Sequence, residues 1–371
     1  MTTEPGSPLV SVIIPVYDMA GFLPAAIESV LGQTLAAELV EVVVVDDGSR
    51  DDSAAVAARY APRVRCVRQS NRGLPGARNT GVRESHAPLL QFLDADDRIM
   101  PEKLEESVAV LGSDASAGLV YSGCTLVDEA GAPLPQHGWA HAEGDVLPQL
   151  LLGNLIHTHA AVVRRTLLER AGGFDETLTS VEDWDLWLRL GLDGARWRCV
   201  DRPLAEYRVR DGGMHGNPSR MLANRLRVLE KVFADPRLPA ALRGLRARAF
   251  RNAWVVAACD HYRGGRPDES GAALLQALRL VPDSLADPAV LRQMCRLLLP
   301  IGYQRDRVMA ARWRPLGHAL RRMVGDAFAQ PGLEPSLARG AWRARLAAWR
   351  VSIRLARRSL TARRRLAQTR S

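Results

Sequence analysis

The chain has 371 residues, 47% hydrophobic and 25% charged, which fits about two globular domains and excludes a wholly disordered or fibrous polypeptide. No uninterrupted apolar run approaches the ~18 residues of a spanning helix. The net charge of +9 is uneven: eleven arginines and no acidic residue follow Glu334, which leaves −2 for residues 1–334 and sets a polyanion-seeking tail on a near-neutral body.

In chain order, residues 9–16 are a short apolar, β-branched run that predicts a buried strand. Residues 20–33 place Phe22, Ala26, Ile27, Val30 and Leu31 on one helical face. Residues 41–45 predict a second strand, closed by the turn Asp46-Asp47-Gly48-Ser49. A helix over 51–60, a strand over 64–67, a helix over 73–85 and a strand over 88–93 follow, the last running into Asp94-Ala95-Asp96-Asp97. Pro101 opens a further helix. Short strands at 118–121, 160–163 and 197–200 and a helix at 182–192 precede Pro218, after which only helices are predicted: 219–234, 237–263, 267–279, 288–299, 305–328 and 337–368. Alternation of buried strands with helices predicts an α/β, doubly wound, mostly parallel sheet, followed by an all-helical C-terminal region. Met1 to Pro8 has neither a basic nor an apolar leader segment. The five cysteines, Cys66, Cys124, Cys199, Cys259 and Cys295, form no paired motif. A reducing, cytoplasmic compartment is expected.

In a doubly wound sheet ligands bind beyond the carboxyl ends of the strands, where both acidic turns fall. Three carboxylates within Asp94 to Asp97 repel one another unless a cation is near, and a hard divalent ion such as Mg²⁺ or Mn²⁺ suits them. The same turn could equally be an exposed acidic loop. Asp46-Asp47-Gly48-Ser49 reads either as a tight turn with a helix cap or as a carboxylate for a nucleobase or ribose. Tyr17 offers a ring on which a base could stack. No Gly-x-Gly-x-x-Gly follows the first strand and no Walker sequence occurs, which disfavours dinucleotide and P-loop chemistry.

Six segments in order then resemble family-two glycosyltransferases: VSVIIPVY (10–17), EVVVVDDGS (41–49), NRGLPGARN (71–79), LQFLDADD (90–97), GGFD (172–175) and EDWDLWLR (182–189). The resemblance covers about residues 8–217. It implies the GT-A fold, a nucleotide-diphosphate-sugar donor, a divalent metal (Mn or Mg) and inversion at the anomeric carbon. By match, Pro15, Tyr17 and Asp47 would hold the base with Asp46 beside them, and Arg78 would lie near the nucleotide. Asp94 would meet the ribose or sugar, and Asp96 and Asp97 the metal. Asp183, in the pair Glu182-Asp183, would be the base for the acceptor hydroxyl. The implied organisation is a glycosyltransferase domain over 1–217 (nucleotide-sugar half about 8–110, acceptor half 111–217), a helical domain over 218–336 and a basic amphipathic tail helix over 337–371.

The family commonly carries Tyr-Arg-x-His after the base helix, whereas this chain reads Tyr207-Arg208-Val209-Arg210, with the next histidine at His215. Either His215 supplies the metal contact or Arg210 grips the diphosphate. His157 and His159 lack Cys, Asp or Glu at ligand spacing and read as a polar loop near the acceptor side. In the tail, Trp342, Leu346, Trp349, Ile353, Ala356 and Leu360 form one helical stripe among arginines. That stripe suits docking on the helical domain or lying in the plane of an anionic membrane; the acidic body speaks against nucleic acid. The expected partners are a nucleotide-sugar donor, a glycan or lipid-linked acceptor and the inner face of a membrane. The expected role is surface glycan or glycoconjugate synthesis. The rival readings are a nucleotidyltransferase, for which the loop after the first strand lacks a Gly- and Arg/Lys-rich sequence, and a catalytically silent nucleotide-sugar-binding or scaffold protein, against which the intact acidic turn and Glu182-Asp183 argue.

Overall fold

A computed structural model of the chain describes residues 7–134, 139, 141–210, 217–284, 287–298 and 322–325. These fall into two compact units. The first holds residues 7–132, 139–210 and 234–238; the second holds 133–134, 217–233 and the described residues from 239 onward.

In the first unit β1 (Val10–Val16) is buried along its whole length because both faces of a parallel strand are covered. Then come α1 (Leu23–Leu31), β2 (Val40–Asp46), α2 (Ser53–Ala58), β3 (Arg65–Arg68), α3 (Gly73–Glu84), β4 (Leu89–Phe92), β5 (Arg98–Ile99) and α4 (Lys103–Ser113). They are followed by β6 (Ala117–Val127), α5 (Leu147–Leu150), β7 (Ala161–Arg164), α6 (Arg165–Arg170), α7 (Glu182–Leu192) and β8 (Arg196–Arg208). The eight strands form one sheet in the order β3-β2-β1-β4-β7-β6-β8-β5. β1 pairs in parallel with β2 and β4, and β2 with β3. β7 runs against both β4 and β6, β5 runs against β8, and β6 and β8 are parallel. Because β1, β2 and β4 point the same way, Tyr17, Asp46-Asp47 and Asp94 all emerge at one edge of the sheet. α3 lies so close to β1 that a Cβ at Gly81 would meet Ile13 Cγ2 at 2.2 Å, so glycine is required for this approach.

Three features differ from the sequence reading. β6 and β8 are longer than predicted, because β8 continues through Asp201, Arg202 and Pro203, whose polarity and proline mimic a loop. The register between them shifts around Ser122 to Cys124, which absorbs the irregularity. The two-residue β5 and the short helix α6 are too brief to carry a periodic signal.

The second unit is helical: α8 (Pro218–Ala234), whose last residue lies in the first unit, then α9 (Ala240–Arg243), α10 (Arg246–Arg263), α11 (Pro267–Leu280) and α12 (Pro288–Leu298). The single helix expected over 237–263 is divided at Gly244-Leu245. Small residues Ala253, Ala257 and Ala258 are buried on α10, and Ser270 Oγ of α11 donates to Ala258 O at 2.8 Å. Among the described residues no helix is long and apolar enough to cross a membrane. The tail expected at 337–371 lies outside the described residues.

Candidate active site

Pro15 lies in β1 in register with Val45, and Val16 closes the strand opposite Asp46. Tyr17 follows with its side chain exposed, and the Arg50 guanidinium stands 5.9 Å from its ring centre. Asp46 is fully buried; its Oδ1 accepts the Ser49 N–H at 2.8 Å and its Oδ2 faces Arg68 Nε at 3.2 Å. Asp47 Oδ1 accepts from Gln69 Nε2 at 2.7 Å and from the Arg72 N–H at 2.8 Å. The turn works because Gly48 takes φ +80°, which a side chain would disfavour. Both acids therefore shape the turn, and the loop before α3 is tied to it through Asp47.

Arg78 on α3 is the hub of the site. It is 1% exposed, yet Nη1 donates to Glu182 Oε1 at 2.6 Å and Nη2 to Asp94 Oδ1 at 2.7 Å. Its guanidinium also lies 5.3 Å from the Phe174 ring centre. Burial works against its charge, but Asp94 and Glu182 outweigh burial and raise its pKa further. Burial likewise opposes ionisation of Asp94, and there Arg78 and His159 prevail and hold the carboxyl below the usual range. At Glu182 burial wins over Arg78 and the pKa is raised.

The first turn of α7 presents Asp183 beside this hub. Its Oδ2 accepts from Asn154 Nδ2 at 3.0 Å and its Oδ1 from the Trp184 N–H at 2.7 Å. Burial raises the Asp183 pKa, against the pull of Arg78 and Asn154. The residue before this turn, Val181, has φ +56°, a left-handed conformation that a β-branched side chain resists. Such strain persists only where its surroundings over-determine it, and here it aims the acidic first turn of the helix.

The acidic turn keeps a separate cation for each carboxylate. Asp94 has Arg78, Asp96 Oδ2 has Arg210 Nε at 2.6 Å, and Asp97 Oδ2 stands 2.9 Å from His159 Nδ1. Asp97 Oδ1 also accepts the Arg208 N–H at 2.8 Å, and Arg208 Nε donates to the Asp96 carbonyl at 2.8 Å. Burial pushes Asp97 up to about 6, while Asp97 raises His159 well above the ordinary histidine value against the opposing effect of burial. On its other side His159 Nε2 lies 3.3 Å from Cys124 Sγ. Oxygens of Asp94 and Asp97 and a ring nitrogen of His159 all lie within 4.8 Å of one another, a group able to hold a metal ion. His157, His159 and Tyr207 add nearly parallel rings with centroids 4.9–5.6 Å apart.

Pro15, Tyr17, Asp46, Asp47, Asp94, Asp96, Asp97, Glu182, Asp183 and Arg210 thus all lie at or just past the ends of β1, β2, β4 and β8 or at the start of α7, and Arg78 lies in α3. Arg78 joins Asp94 to Glu182, and Arg210 joins Asp96 to the end of β8. His215 lies outside the described residues. The sequence reading missed His159, whose partners Cys124 and Asp97 are remote along the chain; only the sheet order brings them together. Buried Lys103 was missed as well. Its Nζ donates to Ala160 O at 2.6 Å and to Ser122 Oγ at 3.1 Å, bracing the turn that carries His159, and burial lowers its pKa to about 7.

Residues 11–170 match the description "Glycosyl transferase family 2". The chain is 33% identical over 188 residues to an uncharacterized glycosyltransferase of Rickettsia prowazekii (strain Madrid E), covering 49% of this chain and 58% of that protein. The chain thus spans little more than half the length of this curated relative. It is also 30% identical over 279 residues to an uncharacterized protein of Mycobacterium tuberculosis (strain CDC 1551 / Oshkosh), covering 69% of this chain and 85% of that one. Among solved structures, S. aureus TarS 1–349 in complex with UDP-GlcNAc superposes with a TM-score of 0.58 at 17% identity, over 86% of this chain and 89% of that one. The mannosyltransferase PcManGT from Pyrobaculum calidifontis, in complex with GDP-Man and Mn²⁺, gives 0.54 at 19% identity over 94% and 87%. Identities this low speak for the fold alone. With the sheet order, the acidic turn after β4 and the sequence match in agreement, residues 11–170 are similar to glycosyltransferase family 2 and the chain has the GT-A fold.

Proposed function

We propose that the protein is a metal-dependent, inverting glycosyltransferase that moves a sugar from a nucleoside-diphosphate sugar to an acceptor hydroxyl in surface glycan or glycoconjugate synthesis. The observation that carries this reading is the Arg78 bridge, which ties the acidic turn at Asp94 to the helix turn bearing Asp183. Tyr17 and Asp47 are taken to receive the base, and Asp94 the ribose or sugar. Asp96 and Asp97 are taken as the residues that would hold a divalent ion with the donor's phosphates, in keeping with their oxygen chemistry and the Asp94–Asp97–His159 group. When bound, such an ion stabilises negative charge on the departing diphosphate. Arg210, at the edge of the same turn, is suited to a diphosphate oxygen through its planar fork.

Asp183 is the proposed base. Each of its oxygens keeps a further lone pair beyond the contacts with Asn154 and the Trp184 N–H, and those contacts hold the carboxylate in one orientation. It would take the proton of the acceptor hydroxyl while Glu182 remains bound to Arg78. A single displacement with one base on the side opposite the leaving group inverts the anomeric centre. UDP-GlcNAc and GDP-Man in the two fold neighbours are donors of the class proposed. The arginine-rich stretch 337–371 is proposed to add a contact with an anionic membrane surface.

A melting screen of UDP-, GDP- and dTDP-sugars with Mn²⁺ tests the reading. At least one donor is expected to raise Tm, since a ligand at 100 times its Kd adds about 2.7 kcal/mol. A flat response to every donor would refute it.

A further inference from the structure

The three carboxylates of the acidic turn hold their cations with unequal firmness. Asp94 is bonded to Arg78, which is buried and pinned by Glu182 as well. Asp97 is enclosed between His159 and the Arg208 N–H. Asp96 instead faces Arg210, whose side chain keeps 23% of its exposure. Its other contacts among the described residues are soft: Nη2 lies 3.7 Å from Met19 Sδ, and the guanidinium 5.6 Å from the centre of the Phe22 ring. Met19 and Phe22 belong to the segment between β1 and α1, on the nucleotide side of the site. Arg210 therefore reaches from the acidic turn toward the loop that follows Tyr17, and among the described residues the acid it bonds there is Asp96.

We infer that Arg210 is an exchangeable counter-ion. It neutralises Asp96 while the donor is absent, and it passes to the diphosphate when a divalent ion and the donor arrive together. This rests on the donor and metal chemistry proposed above. A divalent ion on Asp96 repels a guanidinium on the same carboxylate. The arriving diphosphate offers that guanidinium a bidentate partner of the same charge type, so the number of ion pairs is conserved through the exchange. The thioether and the aromatic face hold the arginine near the site without competing for its N–H groups as a phosphate would. The expected consequence is that the metal binds weakly alone and strongly with nucleotide, a coupling that must be reciprocal.

The test uses the full chain and Arg210→Gln, with circular dichroism to verify the fold. Mn²⁺ binding without nucleotide is followed by electron paramagnetic resonance, and UDP or GDP binding at saturating Mn²⁺ by calorimetry. Exchange predicts shifts of opposite sign. In Arg210→Gln the Mn²⁺ affinity without nucleotide rises about five- to tenfold, and nucleotide affinity falls about tenfold. The enhancement of Mn²⁺ binding by nucleotide shrinks accordingly. Arg210→Lys, which keeps the charge without the fork, falls between the two. Unchanged or weaker Mn²⁺ binding in Arg210→Gln would overturn the exchange, and so would unchanged nucleotide affinity. Wild-type protein that binds nucleotide equally with and without Mn²⁺ would remove the metal from the proposed function and this inference with it. Preserved Mn²⁺ dependence with shifts of the same sign would remove the exchange alone.

Discussion

Asp183→Asn is expected to lower sugar transfer by roughly 10²–10⁴-fold, the span of a positioned general base, with donor affinity near wild type. The substitution keeps shape and removes the proton acceptor. Its neighbours cannot readily take over, because Glu182 is bonded to Arg78 and Asp185 to Arg189 at 2.7 Å. The pH profile gives a second readout. Asp183 acts only when ionised, and burial raises its pKa, so wild-type turnover should rise with pH through a limb above the ordinary aspartate range. That limb should vanish from the residual activity of the Asn variant. Near-normal turnover would move the role to Glu182 or Asp185.

The second large effect is expected at Arg78. Arg78→Met fills similar space but strips the counter-charge from buried Glu182 and from Asp94. Breaking a buried ion pair from one side costs about 3–5 kcal/mol, because the remaining charge stays buried without compensation. Urea unfolding of wild type and variant measures the loss. Arg78→Lys should recover part of it, since one ammonium keeps the charge but lacks the two-armed reach of the guanidinium. A loss below about 1 kcal/mol for Arg78→Met would show that the bridge to Asp94 and Glu182 does not hold the two halves of the site together.

Sequence alone went furthest where local chemistry and long-range structure agree. The runs 9–16 and 41–45 are β-branched and uninterrupted, and they became β1 and β2 with boundaries moved by one residue. The sheet was expected to be mostly parallel, and four of its seven pairings are. The antiparallel entry of β7 between β4 and β6 depends on non-local pairing that no short window contains. Asp201, Arg202 and Pro203 read as a loop in the sequence, yet β8 continues through them and brings Arg208 and Arg210 to the acidic turn.

The residues around the site were legible by type, but their couplings were not. The resemblance places Arg78 near the nucleotide, and nothing near it in sequence indicates that Glu182, 104 residues away, shares its guanidinium. His159 read as a polar loop residue because its local neighbours offer no acid. Its carboxylate and thiol partners come from the end of β4 and the middle of β6. Lys103 stands at the start of an amphipathic helix, where a lysine is ordinarily exposed, yet it is wholly buried and bonded to Ala160 O. These buried polar contacts depend on topology, so they become visible only once the strand order is known.

Calorimetry of the donor selected by the melting screen tests the central claim most directly. It should be run on wild type with Mn²⁺, on wild type with a chelator, and on Asp96→Ala with Mn²⁺. Saturable binding in the first titration, and a strong loss of affinity in the other two, is the result predicted for a nucleotide-sugar site built on the acidic turn. Undiminished binding with both the chelator and Asp96→Ala would contradict it.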